Sequence, residues 1–305
     1  MTPDRPFLGV LFMLGFCVLA PLGDAVAKLL GGSVALLVLL LARFAVQAAV
    51  LLPLSRATDR SLRLPPGTGP RVWLRTALHI AGIGCMFSAL RHLPLADALA
   101  IAFVMPFIML LLGHLVLGEE VGRPRLIACA VGFLGTLLVI QPNFVETGWP
   151  ALLPLGVAVI FALFMLVTRQ IARAIDPVAL QAVSGAQGVV LLLPLVLMSG
   201  PVSLPEGSAL WLLLLLGLLG TGAHLLMTWS LKLAPAATLA PMQYLEIPFG
   251  TAIGWLIFRD LPNGLAAVGI CVTVGAGLYI IARERRLSRR PDAPTAATER
   301  PAPPA

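Results

Sequence analysis

The sequence predicts an all-α polytopic membrane protein, with ten transmembrane helices arranged as two inverted five-helix repeats. Three observations lead there. Of 305 residues, 59% are apolar and only 11% are charged, with a mean hydropathy of +0.96; soluble domains carry about 25% charged residues. Apolar runs long enough to cross a bilayer, which takes roughly 17 to 25 residues, recur along the whole chain. The basic residues then fall on alternate connectors, as the positive-inside rule requires.

The first run is 7–29. Arg5 precedes it as it would a cleaved leader, but the apolar core is too long, and Asp24 and Lys28 make a poor cleavage flank. LGFC at 14–17 is a poor lipid-attachment site because Phe16 is too large before Cys17, so this run is expected to be retained as a helix. The second run, 34–54, carries Arg43 with Gln47 one turn on. The third, 72–90, carries Arg75 and His79, with Arg75 close enough to one end to snorkel out. RHLP joins it to the fourth, 95–117. The runs 124–141, 150–170, 179–199, 208–230, 237–258 and 265–282 complete the ten. The connectors between them are short and marked by Pro and Gly, and none has room for a soluble domain.

With a cytoplasmic N-terminus, the outer loops hold only Arg91 and Arg259, while Lys28, Arg43 and Arg75 lie within runs. The remaining sixteen of 21 basic residues fall inside, so both termini are expected in the cytoplasm. The chain then divides into a cytoplasmic N-terminus (1–6), a five-helix unit (7–141), a periplasmic connector (142–149), a second five-helix unit (150–282) and a basic, disordered cytoplasmic tail (283–305).

The two units resemble each other. LRHLPLADALA at 90–100 matches LKLAPAATLA at 231–240, MPF at 105–107 matches IPF at 247–249, and LVLGE at 115–119 matches LIFRD at 256–260, all at an offset of 141 or 142 residues. Five spans per unit force the second to enter the membrane in the opposite sense. Inverted repeats around a midplane site are a recurring transporter plan.

These stretches, with GDAVAKLL (23–30), GFLGTLLVIQP (132–142) and YLEIPFGTAIGWLIFRDLP (244–262), make the sequence similar to the drug/metabolite transporter superfamily, in particular its ten-helix EamA-type members. The resemblance covers roughly residues 7–282. Arg259-Asp260 stands where those relatives commonly have Gly-Glu. The resemblance implies a carrier in the bacterial inner membrane that exports or exchanges a small metabolite or drug. Some relatives instead import a vitamin or cofactor-like solute such as riboflavin or S-adenosylmethionine. A non-transport structural membrane protein is the remaining alternative.

Ionisable residues inside the membrane mark candidate function. Asp24 and Lys28, four apart, share a helix face and either bind or gate a solute or anchor the helix end. Glu246 sits with Gln243 and Tyr244 beside Pro248, whose counterpart in the first unit is Pro106; a proline opens the helical hydrogen-bond ladder and frees carbonyls. Glu246 is a proton carrier, a partner for a cationic substrate, or a partner for Arg43 or Arg75. Arg43, with Gln47 on its face, holds an anionic substrate group or neutralises Glu246 or Asp24. His114 and His224, alone on apolar helices, read as structural. Gly132, Gly135, Gly275 and Gly277 read as close-contact faces for helix packing or a homodimer.

The four cysteines show no metal or disulfide spacing, and no phosphate loop, paired-carboxylate or Ser-His-Asp set is present. The expected partners are a small-molecule substrate and membrane lipid. No cofactor, metal or nucleic acid is expected, and an enzyme is excluded for want of a nucleophile.

Overall fold

A computed structural model of the chain describes residues 5–140, 148–200, 206–259 and 264–288. The fold is all-α and polytopic. Its helices are α1 (Pro6–Leu30), α2 (Leu36–Ala57), α3 (Gly69–Ala89), α4 (Leu95–Ala102), α5 (Met105–Leu117), α6 (Arg123–Ile140), α7 (Leu152–Ala172), α8 (Pro177–Met198), α9 (Ser208–Leu233), α10 (Ala236–Leu239), α11 (Glu246–Phe258) and α12 (Gly264–Ser288). Among the described residues, α1, α2, α3, α7, α8 and α9 are each long and apolar enough to cross a membrane unaided. The helix α12 continues through residues 283–288, expected above to be tail, because ARERRL is built of good helix formers. Residues 1–4, most of the connector at 142–149 and the rest of the tail lie outside the described residues.

Two runs expected as single helices are interrupted. The run 95–117 breaks at Phe103-Val104 between α4 and α5. A helical residue donates its N–H to the carbonyl four residues back, and Pro106 has no N–H. The carbonyl that loses its α-helical donor is that of Ala102, the last residue of α4. The run 237–258 divides into α10, a six-residue 3-10 stretch at Ala240–Leu245, and α11. Such stretches seldom exceed three or four residues. Here Pro248 withdraws the partner of the Tyr244 carbonyl, and Pro241 that of Ala237. Pro248 itself sits in the first turn of α11, where its missing N–H costs nothing. Each proline therefore interrupts the helix about one turn ahead of itself.

The main pairings are α1 with α9, α2 with α8, α3 with α7, and α6 with α12. Small residues set the closest approaches. A Cβ added to Gly135 would stand 2.9 Å from the Gly269 carbonyl, and one on Gly185 would stand 2.9 Å from the Ala48 nitrogen. Without water to drive them together, membrane helices associate through such tight contacts. Of the other glycines singled out in the sequence, Gly132 lies under the Tyr244 ring and Gly277 under Leu245, whereas Gly275 faces open space.

Asp176 caps α8, accepting from the Val178 and Ala179 amides at 3.0 and 3.2 Å and from Arg60 at 2.6 Å. Partial burial works against its charge, yet the Arg60 guanidinium and the two amides hold the carboxyl below its usual range.

The helices α5 and α11 end alike, on Gly118 at φ 64° and Arg259 at φ 62°. A left-handed residue is the usual helix stop, and glycine adopts it without a Cβ clash. Arginine does not, at a cost of roughly 1–2 kcal/mol. Arg259→Gly is therefore expected to raise the thermal midpoint in detergent, by the equivalent of about 1 kcal/mol. An unchanged or lowered midpoint would show that the Arg259 side chain compensates.

Candidate functional site

A cavity of about 80 Å³ lies among α1, α2, α3, α4, α5, α7, α9 and α11. Its apolar walls include the rings of Phe16, Phe87, Phe103 and Phe161, and its polar groups are Asp24, Arg43, His224 and Glu246. The volume suffices for a few waters and falls well below the roughly 300–1,000 Å³ of a drug-sized ligand site. Seating a solute requires the walls to move apart.

Arg43 is 4% exposed and reaches the cavity through a notch at Gly220, where a side chain would overlap the guanidinium. Its Nη2 lies 2.9 Å from His224 Nδ1, and its Nε has no partner. Glu246, the first residue of α11, is 6% exposed, and its Oε1 has no partner. Asp24 is half-buried on the same cavity. Among the described residues neither carboxylate is in an ion pair; both stand within electrostatic reach of a neighbour, Asp24 of Arg43 and Glu246 of Asp24.

The other residues singled out in the sequence lie elsewhere. Lys28, one turn beyond Asp24, donates to the Leu93 carbonyl at 3.3 Å and covers the Phe258 ring, so it ties the end of α1 to the α3–α4 turn and α11. Gln47 donates to the carbonyl and side chain of Gln181 at 2.7 and 3.0 Å. Gln243 donates to Met165 Sδ at 3.1 Å, and Tyr244 packs beneath α6, with its hydroxyl 3.7 Å from Cys129 Sγ. Both belong to the 3-10 stretch, whose different turn angle points them away from the cavity that Glu246 lines.

Behind the cavity Arg75 is fully buried and does not snorkel. Three hydroxyls from three other helices hold it: Thr168 at 2.9 Å, Ser184 at 2.7 Å and Thr228 at 3.4 Å. Its guanidinium stacks on Phe164. It therefore does not pair with Glu246. His79 is sandwiched against Phe164 and His224, with ring centroids 4.6 and 4.2 Å away, and neither of its nitrogens has a partner.

A second polar cluster closes the end of the bundle where α5 stops. Glu119 pairs with Arg169 of α7 at 3.1 Å and accepts from the Ala237 amide at 3.0 Å, while Arg169 donates to the Leu231 carbonyl at 2.7 Å. This clasp joins α5, α7, α9 and α10. Sequence reasoning passed over it, although the 141-residue offset carries Arg169 onto Lys28 and Glu119 onto Asp260. His224, read from the sequence as structural, lines the cavity beside Arg43, and the glycine one turn before it leaves the space that the Arg43 side chain fills. No group of three or more potential metal ligands occurs among the described residues.

A crystal structure 22% identical in sequence superposes with a TM-score of 0.72 over 92% of this chain and 98% of its own, which establishes the fold. A riboflavin transporter of Rhizobium johnstonii is 31% identical over 71% of this chain and 72% of its own. An S-adenosylmethionine uptake transporter of Rickettsia conorii is 24% identical over 71% and 73%. The pseudopaline exporter of Pseudomonas aeruginosa is 27% identical over 72% and 75%. The chain is a secondary transporter of a small solute and not an enzyme. The EamA-like transporter family matches it twice, over residues 7–141 and 148–283, and the chain belongs to that family.

Proposed function

We propose that the protein takes up a planar, vitamin- or cofactor-like solute of the riboflavin class across the bacterial inner membrane. The observation that carries this reading is the make-up of the cavity: four phenylalanine rings around a small set of charged and polar groups of both signs. Such walls suit a flat heteroaromatic body with a polar periphery. The similarity to a riboflavin transporter and an S-adenosylmethionine uptake transporter supports uptake over the export or exchange expected from the sequence. Export is the second reading, favoured by the similarity to the pseudopaline exporter.

The proposed mechanism is alternating access between two inverted five-helix halves, with both termini cytoplasmic. The pairings support it. Exchanging the halves turns α1·α9 into α7·α3 and leaves α2·α8 and α6·α12 unchanged. The matching left-handed ends of α5 and α11 fit the same symmetry. In this scheme the Glu119–Arg169 clasp is the cytoplasmic gate, and Lys28, at Arg169's repeat position, serves the periplasmic one. No nucleotide-binding motif is present, so an ion gradient or solute exchange supplies the energy.

The test is complementation. A bacterial host unable to make riboflavin and lacking its own carrier, given this gene, is expected to grow on low external riboflavin and to accumulate radiolabelled riboflavin. Absence of uptake, together with faster loss of preloaded flavin, would replace uptake by export.

A further inference from the structure

We infer that Arg43 and His224 form an acceptor-reading end of the cavity, which binds the ring carbonyls of a pyrimidinedione-type heteroaromatic solute. This rests on the uptake reading above and adds which groups select the substrate. A guanidinium only donates hydrogen bonds, so at 2.9 Å from Arg43 Nη2 the His224 Nδ1 must accept. The Gly220 carbonyl, 3.2 Å from the same nitrogen, then receives no proton from it, and the ring proton sits on Nε2. That Nε2–H has no partner, and neither does the Nε–H of Arg43. Two buried donors on residues lining one cavity are thus left open, and each unmade bond is costly.

The neighbouring side chains do not use them. His79 packs on the His224 ring at a tilt of 35° with no hydrogen bond from either of its nitrogens, and Gln181 reaches His224 only at the backbone carbonyl. Gly220 leaves the notch through which Arg43 reaches this position. The other polar wall, Asp24 and Glu246, offers acceptors. A solute that satisfies both walls carries carbonyl oxygens on its ring and hydroxyl or amino donors on its substituent, with a flat body against Phe87, Phe103 and Phe161.

The experiment measures binding to the purified full-length protein in detergent, using riboflavin, lumichrome (the ring system without the chain) and phenazine (a flat tricycle without carbonyls). The unmodified protein is expected to bind riboflavin and lumichrome, with phenazine weaker by roughly tenfold or more. His224→Phe keeps a ring but no donor and is expected to weaken both flavins by a similar factor. His224→Gln, which restores an N–H near the Nε2 position, is expected to stay within roughly threefold of the unmodified protein. Equal binding of phenazine and lumichrome by the unmodified protein overturns the inference and needs no variant to fold. So does undiminished lumichrome binding by His224→Phe. In both cases riboflavin binding leaves the uptake reading standing. Failure of the unmodified protein to bind either flavin overturns both.

Discussion

Transport by a Gly220→Ala variant is expected to fall at least tenfold while the protein still inserts and folds. An added methyl would occupy the space of the Arg43 guanidinium, which fills the notch left by the missing side chain. The obstructing atoms are the far end of a flexible chain, so Arg43 swings aside and the backbones of α2 and α9 need not part. The overpacking cost should therefore lie near the low end of the roughly 1–3 kcal/mol usual for an extra carbon in a packed interior. The functional cost is larger. Arg43 leaves His224 and intrudes on the cavity, removing a charge-assisted hydrogen bond of about 1.5–3 kcal/mol and the group proposed to face the solute. Because both changes act through one side chain, Gly220→Ala combined with Arg43→Gln should transport no worse than Arg43→Gln alone. Uptake measured in whole cells, normalised to membrane-inserted protein, checks this. Wild-type uptake by Gly220→Ala would show that the guanidinium has no part in transport where it now lies.

Hydropathy made the membrane runs legible, because a spanning helix must be apolar along its length whatever it packs against. The interruptions were half legible. Pro106 and Pro248 stand out in the sequence, but their effect falls on the carbonyls of Ala102 and Tyr244. Reading the break at the proline itself led to Gln243 and Tyr244 being grouped with Glu246. Charge in an apolar run marked Asp24, Arg43 and Glu246, and all three line the cavity. Helical spacing did not reveal which neighbours accompany them. Lys28 and Gln47 each lie one turn further along the same helix, yet Lys28 bonds the α3–α4 turn and Gln47 bonds α8. Arg75 is long enough to snorkel, and only the distant Thr168, Ser184 and Thr228 turn it inward. Such partners are set by packing across helices, which no local pattern encodes.

The Glu246→Gln variant is expected to fold with stability within about 1 kcal/mol of the unmodified protein and to lose gradient-driven uptake by an order of magnitude or more. Breaking a buried ion pair typically costs about 3–5 kcal/mol because a charge is left stranded. That penalty does not arise here. Arg43 bonds His224 and Arg75 bonds three hydroxyls, so neither of these two buried arginines depends on Glu246. Glutamine keeps the volume and a carbonyl oxygen in place of the unpartnered Oε1. It cannot gain or release a proton. The groups that share its cavity are Asp24 of α1, Arg43 of α2 and His224 of α9, with Cys17 of α1 also near. The repeat places Val104 at the position matching Glu246, so the two halves supply one such carboxyl between them. A single titratable group on a helix interrupted by a 3-10 stretch is what a one-proton carrier needs. Exchange of labelled for unlabelled solute, which requires no net proton movement, should persist in the variant. Reconstituted liposomes with and without an imposed pH gradient separate the two activities. Gradient-driven uptake at the wild-type rate, with unchanged pH dependence, would remove Glu246 from the coupling step. Loss of folded protein on the same substitution would instead reassign it to holding α11 in place.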